Sequence, residues 1–358
     1  MGTTPYHAIV IGAGPAGCMA ALALARRGAR TLVVDKGSRG RWKVCGCCLG
    51  TLGQQALRDA RLHQLLNQAA PLGALTLAAR GTSVAMPLRG FVSLARETLD
   101  AGLADAAAEA GAHFRWGARA QWQSSGSVEF DDGSAFTPGV VVDASGLRGQ
   151  RQEDARVAGR ARIGLGLTTA STTCQPGTLT MAVAKGGYLG RVALPDGRVD
   201  FAAAVLPSFV RARGTPAAAL RAIWSEAGLD PADVPDGPWR GTPALSRSRQ
   251  PQDGRVLRVG DAAGYVEPFT GEGMSWAMHA AAHVADDALA CIEHGPDASR
   301  WPKTLHGLLA TRHTRCRAVA HAVRSPRLVS AGLRVASLFP AVGALGAARL
   351  SGAARGMA

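Results

Sequence analysis

A chain of 358 residues with 47% hydrophobic residues can bury a large core in one or two domains, which excludes a disordered protein. Its formal charge of +14 is uneven: residues 298–358 hold ten Arg or Lys and no Asp or Glu, so the first 297 residues are close to neutral. No nucleic-acid-binding motif accompanies the charge, and seven cysteines, an odd number without a signal peptide, argue against a secreted disulfide framework.

The first predicted unit is IVIGAGPAGCMAALALARRGARTLVVDK, residues 9–36. An apolar β-branched run leads into Gly12, Gly14 and Gly17, an Ala-rich helix follows, and a second apolar run ends at Asp35. That strand–turn–helix–strand order is what a dinucleotide site requires. Gly12 permits the tight turn, Gly14 admits the pyrophosphate, and Gly17 lets helix and strand pack closely. The helix N-terminus, with Pro15 and Ala16, offers N–H groups to the phosphates, and Asp35, with Lys36 beside it, is placed to accept hydrogen bonds from the adenosine ribose. On these residues alone FAD and NAD remain equal candidates. The apolar N-terminus lacks a basic n-region, and its glycines serve the nucleotide fold, so it is not read as a signal peptide.

A glycine- and cysteine-rich loop spans 37–50, and 51–66 reads as a helix. Residues 73–92 alternate as strands, 94–111 is an amphipathic helix, and 113–145 forms strands around an Asp132-Gly133 turn. The second glycine-rich stretch, VVVDASGLRG at 140–149, holds Asp143 and Gly146. Residues 161–210 read as strands with a hairpin at 195–197, 213–229 as a helix, and 230–252 as extended. The third stretch, RVLRVGDAAGYVEPFTGEGMSWAMHAA, covers 255–281, and the remainder is helical. The glycines of 185–190 precede no helix, so no separate NAD(P)H domain is expected. The uncharged run at 335–348 contains Pro340 and is shorter than the ~20 apolar residues of a spanning helix. The protein is expected in the cytoplasm. Its basic C-terminal segment is either a solvated helical face or a peripheral contact with an anionic membrane surface.

The third stretch resembles the second flavin-contacting motif of p-hydroxybenzoate hydroxylase-like and geranylgeranyl reductase-like flavoproteins. KVCGCCLG at 43–50 resembles their K-x-C-G-x-x-L loop. Arg96 with Leu99 and Asp100 resembles their R-x-x-L/F-D helix, and 186–206 resembles a sheet segment of the same group. The resemblance covers 8–285. It implies an α/β fold: a Rossmann-type FAD-binding domain made of 1–72, 93–160 and 253–295, with an inserted sheet-rich substrate domain of 73–92 and 161–252 and a basic helical segment of 296–358. It implies FAD contacts from Lys43, Arg96, Gly260, Asp261, Pro268, Gly271, Glu272, Gly273 and Met274, and a substrate pocket near Tyr188, Gly190 and Phe269. Prenyl reductases carry Trp and Phe-Pro where this chain has Gly190, Leu194 and Pro195, which departs from a geranylgeranyl substrate. The W-x-W-x-I-P segment of tryptophan-type halogenases is absent.

Cys45, Cys47 and Cys48 lie in the loop that, by the same resemblance, passes the substrate side of the flavin. No neighbouring pair completes a metal set, so no metal is expected. Three readings stand: small residues packing a tight loop; a thiol acting as proton donor or nucleophile, its pKa lowered by Arg39, Arg41 or Lys43; or a redox pair, Cys45 with Cys47 or Cys48. The expected function is FAD-dependent hydride transfer to or from a hydrophobic small molecule of isoprenoid, polyketide or aromatic type, with NAD(P)H as transient reductant. The alternatives are an NAD(P)H-dependent flavin monooxygenase or divergent halogenase working through a C4a-hydroperoxide, and a non-catalytic flavin-binding module. Thiols beside a peroxide are prone to oxidation, which tilts the reading toward hydride transfer.

Overall fold

The computed structural model describes residues 6–123, 126–151, 155–170, 174–267, 269 and 271–339. The helices are α1 (Pro15–Ala25), α2 (Thr51–Asp59), α3 (His63–Leu66), α4 (Arg96–Glu109), α5 (Pro207–Arg211), α6 (Pro216–Glu226), α7 (Gly273–His294), α8 (Arg300–Ala322) and α9 (Pro326–Leu338). The single helix expected over 51–66 divides, because Arg61 takes a left-handed φ of 56° between α2 and α3.

A six-stranded sheet runs in the order Gln252–Asp253, Val256–Arg258, Val140–Asp143, Ala8–Ile11, Thr31–Asp35 and His113–Trp116. All its pairings are parallel except the edge hairpin of Gln252–Asp253 with Val256–Arg258. The central strands are unbroken apolar runs, as burial on both faces demands. α1 and α7 pack together, and α1 also meets α4. Strand order reverses between Ala8–Ile11 and Val140–Asp143, and open α/β sheets bind ligands beyond the carboxyl ends of their strands at such a point.

An eight-stranded sheet runs Arg240–Ala244, Ile163–Ala170, Arg198–Val205, Gly187–Ala193, Thr178–Ala184, Ala70–Ala79, Thr82–Ser93 and Cys48–Leu49. Every pairing is antiparallel except Thr178–Ala184 with Ala70–Ala79. α6 covers one face, where Trp224, Phe201, Leu220 and Ile223 are fully buried. On the opposite face Met181, Tyr188 and Val192 pack with Cys47, Cys48 and Phe269. The cysteine loop is therefore sewn onto this sheet: Cys48 pairs with Ser93 and Leu49 with Val92.

Candidate functional site

The nucleotide crevice is built from close backbone approaches. Gly12 has φ 108°, and a Cβ there would lie 2.3 Å from the Ala144 carbonyl oxygen. A Cβ on Gly17 would lie 1.8 Å from the Gly12 carbonyl oxygen, so the first turn of α1 rests directly on the turn before it. Gly14 is the N-cap residue of α1 and Pro15 opens the helix. The amides of Ala16 and Gly17 have no acceptor within the helix and carry its positive dipole end. Gly260, at φ 57°, brings the third glycine-rich stretch against the same turn, its Cβ position 2.9 Å from Ala16 Cβ. Three distant segments thus meet at the switch point, with glycine wherever two backbones nearly touch.

The acidic residues divide their work. Asp35 Oδ2 accepts the Ala13 N–H at 2.9 Å and Oδ1 accepts the Gly37 N–H at 2.7 Å. It braces the βα turn, and each oxygen keeps a lone pair for another donor. Asp143 points into the core: it accepts from the Ser145 amide and hydroxyl and from Trp122 Nε1. Its role is to fix the turn that carries Gly146 (φ 79°), so it acts on the crevice through the loop. Burial raises the Asp261 carboxyl to about 6, opposed by the cations Arg96 and Arg249.

Arg96 opens α4 with its side chain only 12% exposed. Its guanidinium forms a two-pronged pair with Asp100, both contacts at 3.0 Å. Lys43 Nζ reaches Asp100 at 2.8 Å and stands 3.8 Å from a Cβ position on Gly14. Burial alone would raise Asp100, yet the two cations hold it below the usual carboxylate range. One anion thus anchors two cations at the crevice, one of them over the N-terminus of α1, and phosphate oxygens find positive charge there. Lys36 lies one residue past Asp35, its pKa lowered by burial and then by neighbouring Arg41.

The cysteine cluster lies on the other side of Arg96. Cys45 Sγ is 3.5 Å from Met274 Sδ and accepts the Cys47 N–H at 3.4 Å. The Cys47 thiol and, against burial, the Arg96 guanidinium bring the Cys45 thiol down to about 6. The cation beside the thiol is Arg96, which corrects the expected set: Lys43 is committed to Asp100, Arg39 to Asp105, and Arg41 lies 4.0 Å from Asp35. Cys47 and Cys48 are both raised, Cys47 chiefly by the neighbouring Cys45 and Cys48 chiefly by burial. All three are free thiols. Cys47 sits in the left-handed region at φ 49°, and Cys48 Cβ lies 3.3 Å from a Cβ position on Gly271.

A polar chain behind the thiols was not expected from the sequence. Trp42 Nε1 donates to Thr168 Oγ1 at 2.7 Å, and Thr168 donates to Asp200 Oδ1 at 2.6 Å. Asp200 is 2% exposed, and burial pushes its carboxyl well above the usual carboxylate range. It faces Cys47. The available signal was one acid among the apolar residues that follow Arg198 in the strand RVDFAAAV.

Gly271 (φ 71°), Glu272 and Gly273 turn the chain into α7, with Glu272 at its N-cap and Met274 in its first turn. Pro268 lies outside the described residues. Tyr188 and Phe269 meet edge to face at 5.0 Å. Gly190 lies under Met181, whose Sδ would be 2.7 Å from a Cβ there. None of these three lines a cavity of about 430 Å³ that opens between the 260–266 turn, α7 and α8 and is walled by Asp261, Tyr265, Trp276, His313 and Arg317. Among the described residues no cluster of three or more His, Cys, Asp or Glu is arranged to hold a metal ion.

Residues 7–69 match the family model of the FAD binding domain. The chain is similar to Protein FixC of Salmonella typhi, 32% identical over 170 residues, which cover 43% of this chain and 40% of that protein. It is similar to the geranylgeranyl diphosphate reductase of Rhodobacter capsulatus, 36% identical over 109 residues, 30% of this chain and 27% of that one. These matches span less than half the length of the curated relatives. The fold is shared with a flavoprotein/dehydrogenase from Cytophaga hutchinsonii (17% identity, TM-score 0.79, 96% of this chain and 92% of that). It is also shared with the myxobacterial chondrochloren halogenase CndH (20% identity, TM-score 0.71, 87% and 79%).

Proposed function

We propose that this chain, a member of the FAD-dependent oxidoreductases by its nucleotide site, its fold and its relatives, moves a hydride to or from a carbon of a hydrophobic small molecule. The observation that carries the reading is the pairing of the Cys45 thiol with Met274 Sδ beneath Arg96, at the first turn of α7. Two oxidisable sulfur atoms at that place suit a site that shuttles a hydride better than one that builds an oxygenating species.

The crevice residues fit FAD. Glycines stand where backbones approach, first-turn amides and Lys43 face the pyrophosphate position, and Asp35 and Asp261 are set for the ribose and ribityl hydroxyls. The amides at Gly271–Met274 would meet the pyrimidine edge. Bound FAD supplies a two-electron carrier, and a reduced nicotinamide nucleotide is the proposed donor. The chain's own contribution is proton handling. Cys45 Sγ holds or releases a proton beside the cofactor, Cys47 donates to it, and Asp200, its carboxyl raised by burial, stands behind Cys47. The apolar cluster of Met181, Tyr188 and Phe269 packs against Cys47 and Cys48 and keeps water from the thiols.

The test is to photoreduce the flavoprotein without air and mix it rapidly with oxygenated buffer. The oxidised flavin spectrum should return in one step. A long-lived spectral species before reoxidation would move the chain to the oxygenating class instead.

A further inference from the structure

Five large apolar side chains are exposed among the described residues, and four lie at one end of the chain: Leu328, Val335, Leu338 and Phe339, exposed by 66, 48, 74 and 60%. At about 100° per helical residue, Leu328 and Val335 project within about 20° of one another, Leu338 closes the helix and Phe339 follows directly after it. They form one stripe along α9. The opposite side of the helix, Pro326, Ser330, Leu333 and Ala336, is buried on strands Ala70–Ala79 and Thr82–Ser93, where Ser330 Oγ meets Thr82 Oγ1 at 3.3 Å. Ser325 caps the helix through the Leu328 amide, and Pro326 occupies its first turn. The stripe is thus presented by a helix held in place by its other side.

Arg324, Arg327 and Arg334 are exposed around it and make no ion pair among the described residues. No acidic residue occurs anywhere from 298 to 358. An exposed apolar stripe whose charged neighbours on the helix are all cations is the composition of a helix lying in a membrane interface. Among the described residues no helix is long and apolar enough to cross a bilayer.

We propose that the exposed face of α9 docks this protein on the anionic surface of a lipid bilayer, with Leu328, Val335, Leu338 and Phe339 inserted among the acyl chains and the arginines at the headgroups. A second copy is disfavoured as the occupant, because a two-fold contact would set an all-basic segment against itself. A bilayer supplies both complements at once, apolar depth and negative charge.

The test is co-sedimentation of the full-length flavoprotein with vesicles of phosphatidylcholine alone or with about 30% phosphatidylglycerol. Binding to the anionic vesicles is expected, weakened by salt. The double variant Leu338→Ser, Phe339→Ser and the double variant Arg327→Glu, Arg334→Glu should each bind at least about tenfold more weakly. All four positions are exposed, so the flavin spectrum and melting temperature of both variants should match the parent. Equal recovery in the supernatant with both vesicle types overturns the proposal. So does a lipid-free dimer, seen by sedimentation, that the serine variant dissolves.

Discussion

Cys45 is the residue whose chemistry departs furthest from its sequence neighbourhood. Three cysteines within four positions look equivalent on paper, and the nearby Arg39, Arg41 and Lys43 look like their cations. In the fold two of these bases are drawn off by Asp105 and Asp100 and Arg41 stands by Asp35, while Arg96, fifty-one positions away, takes the thiol. A thiol with its pKa near 6 is mostly thiolate at neutral pH and loses that charge as pH falls through 6. The alkylation rate of the half-buried Cys45 should therefore rise with pH with a midpoint near 6. Arg96→Gln should shift the midpoint up toward the ordinary thiol range; mass mapping of the labelled cysteine against pH checks both. A midpoint near 9 in the parent protein would remove Cys45 from the proton-handling role. The sequence singled out the thiols, Arg96 and Lys43, and the fold brings Arg96 beside Cys45 and joins Arg96 and Lys43 through Asp100. Sequence reading missed Asp200 and Thr168, whose relevance arises only when their strands are laid beside the cysteine loop.

At the scale of elements, the nucleotide half was the legible half. The strand, turn and helix of 8–25 carry their own instructions in local spacing, because each glycine answers a contact within a few residues or with a neighbouring strand. Gly12→Ala should show this directly. Its Cβ would overlap the Ala144 carbonyl and force a positive φ on alanine, a strain of order 1–3 kcal/mol. The variant should lose retained FAD on dialysis and melt at a lower temperature, read by flavin absorbance and thermal unfolding. Undiminished FAD content would mean that the turn relaxes. The larger sheet was legible as strands but not as an order. Nothing local says that Thr178–Ala184 lies parallel to Ala70–Ala79, or that Cys48–Leu49 joins the edge at Ser93. Those pairings are chosen by which apolar faces remain to be covered once α6 and the cysteine loop have taken theirs.

For the whole molecule, the parallel junction between Ala70–Ala79 and Thr178–Ala184 bears on how the chain reaches its final form. Leu75 meets Leu179 across more than a hundred intervening residues, and Val141 waits for Val256 in the other sheet. Each long loop must lose its freedom before the contact that rewards it exists. Early structure is then confined to local pieces such as the 70–93 hairpin and α1, while both sheets stay open-edged until the last third of the chain arrives. Chains of this length commonly pass through populated intermediates. Refolding from urea should show a rapid gain of part of the far-ultraviolet dichroism, followed by a phase slower than about a second in which Trp224 fluorescence and FAD uptake appear together. Simultaneous millisecond recovery of all three signals would contradict it. An open-edged, slow-closing chain is exposed to aggregation while it is being synthesised, and a flavin that binds only after both sheets close would act as the latch on the finished form.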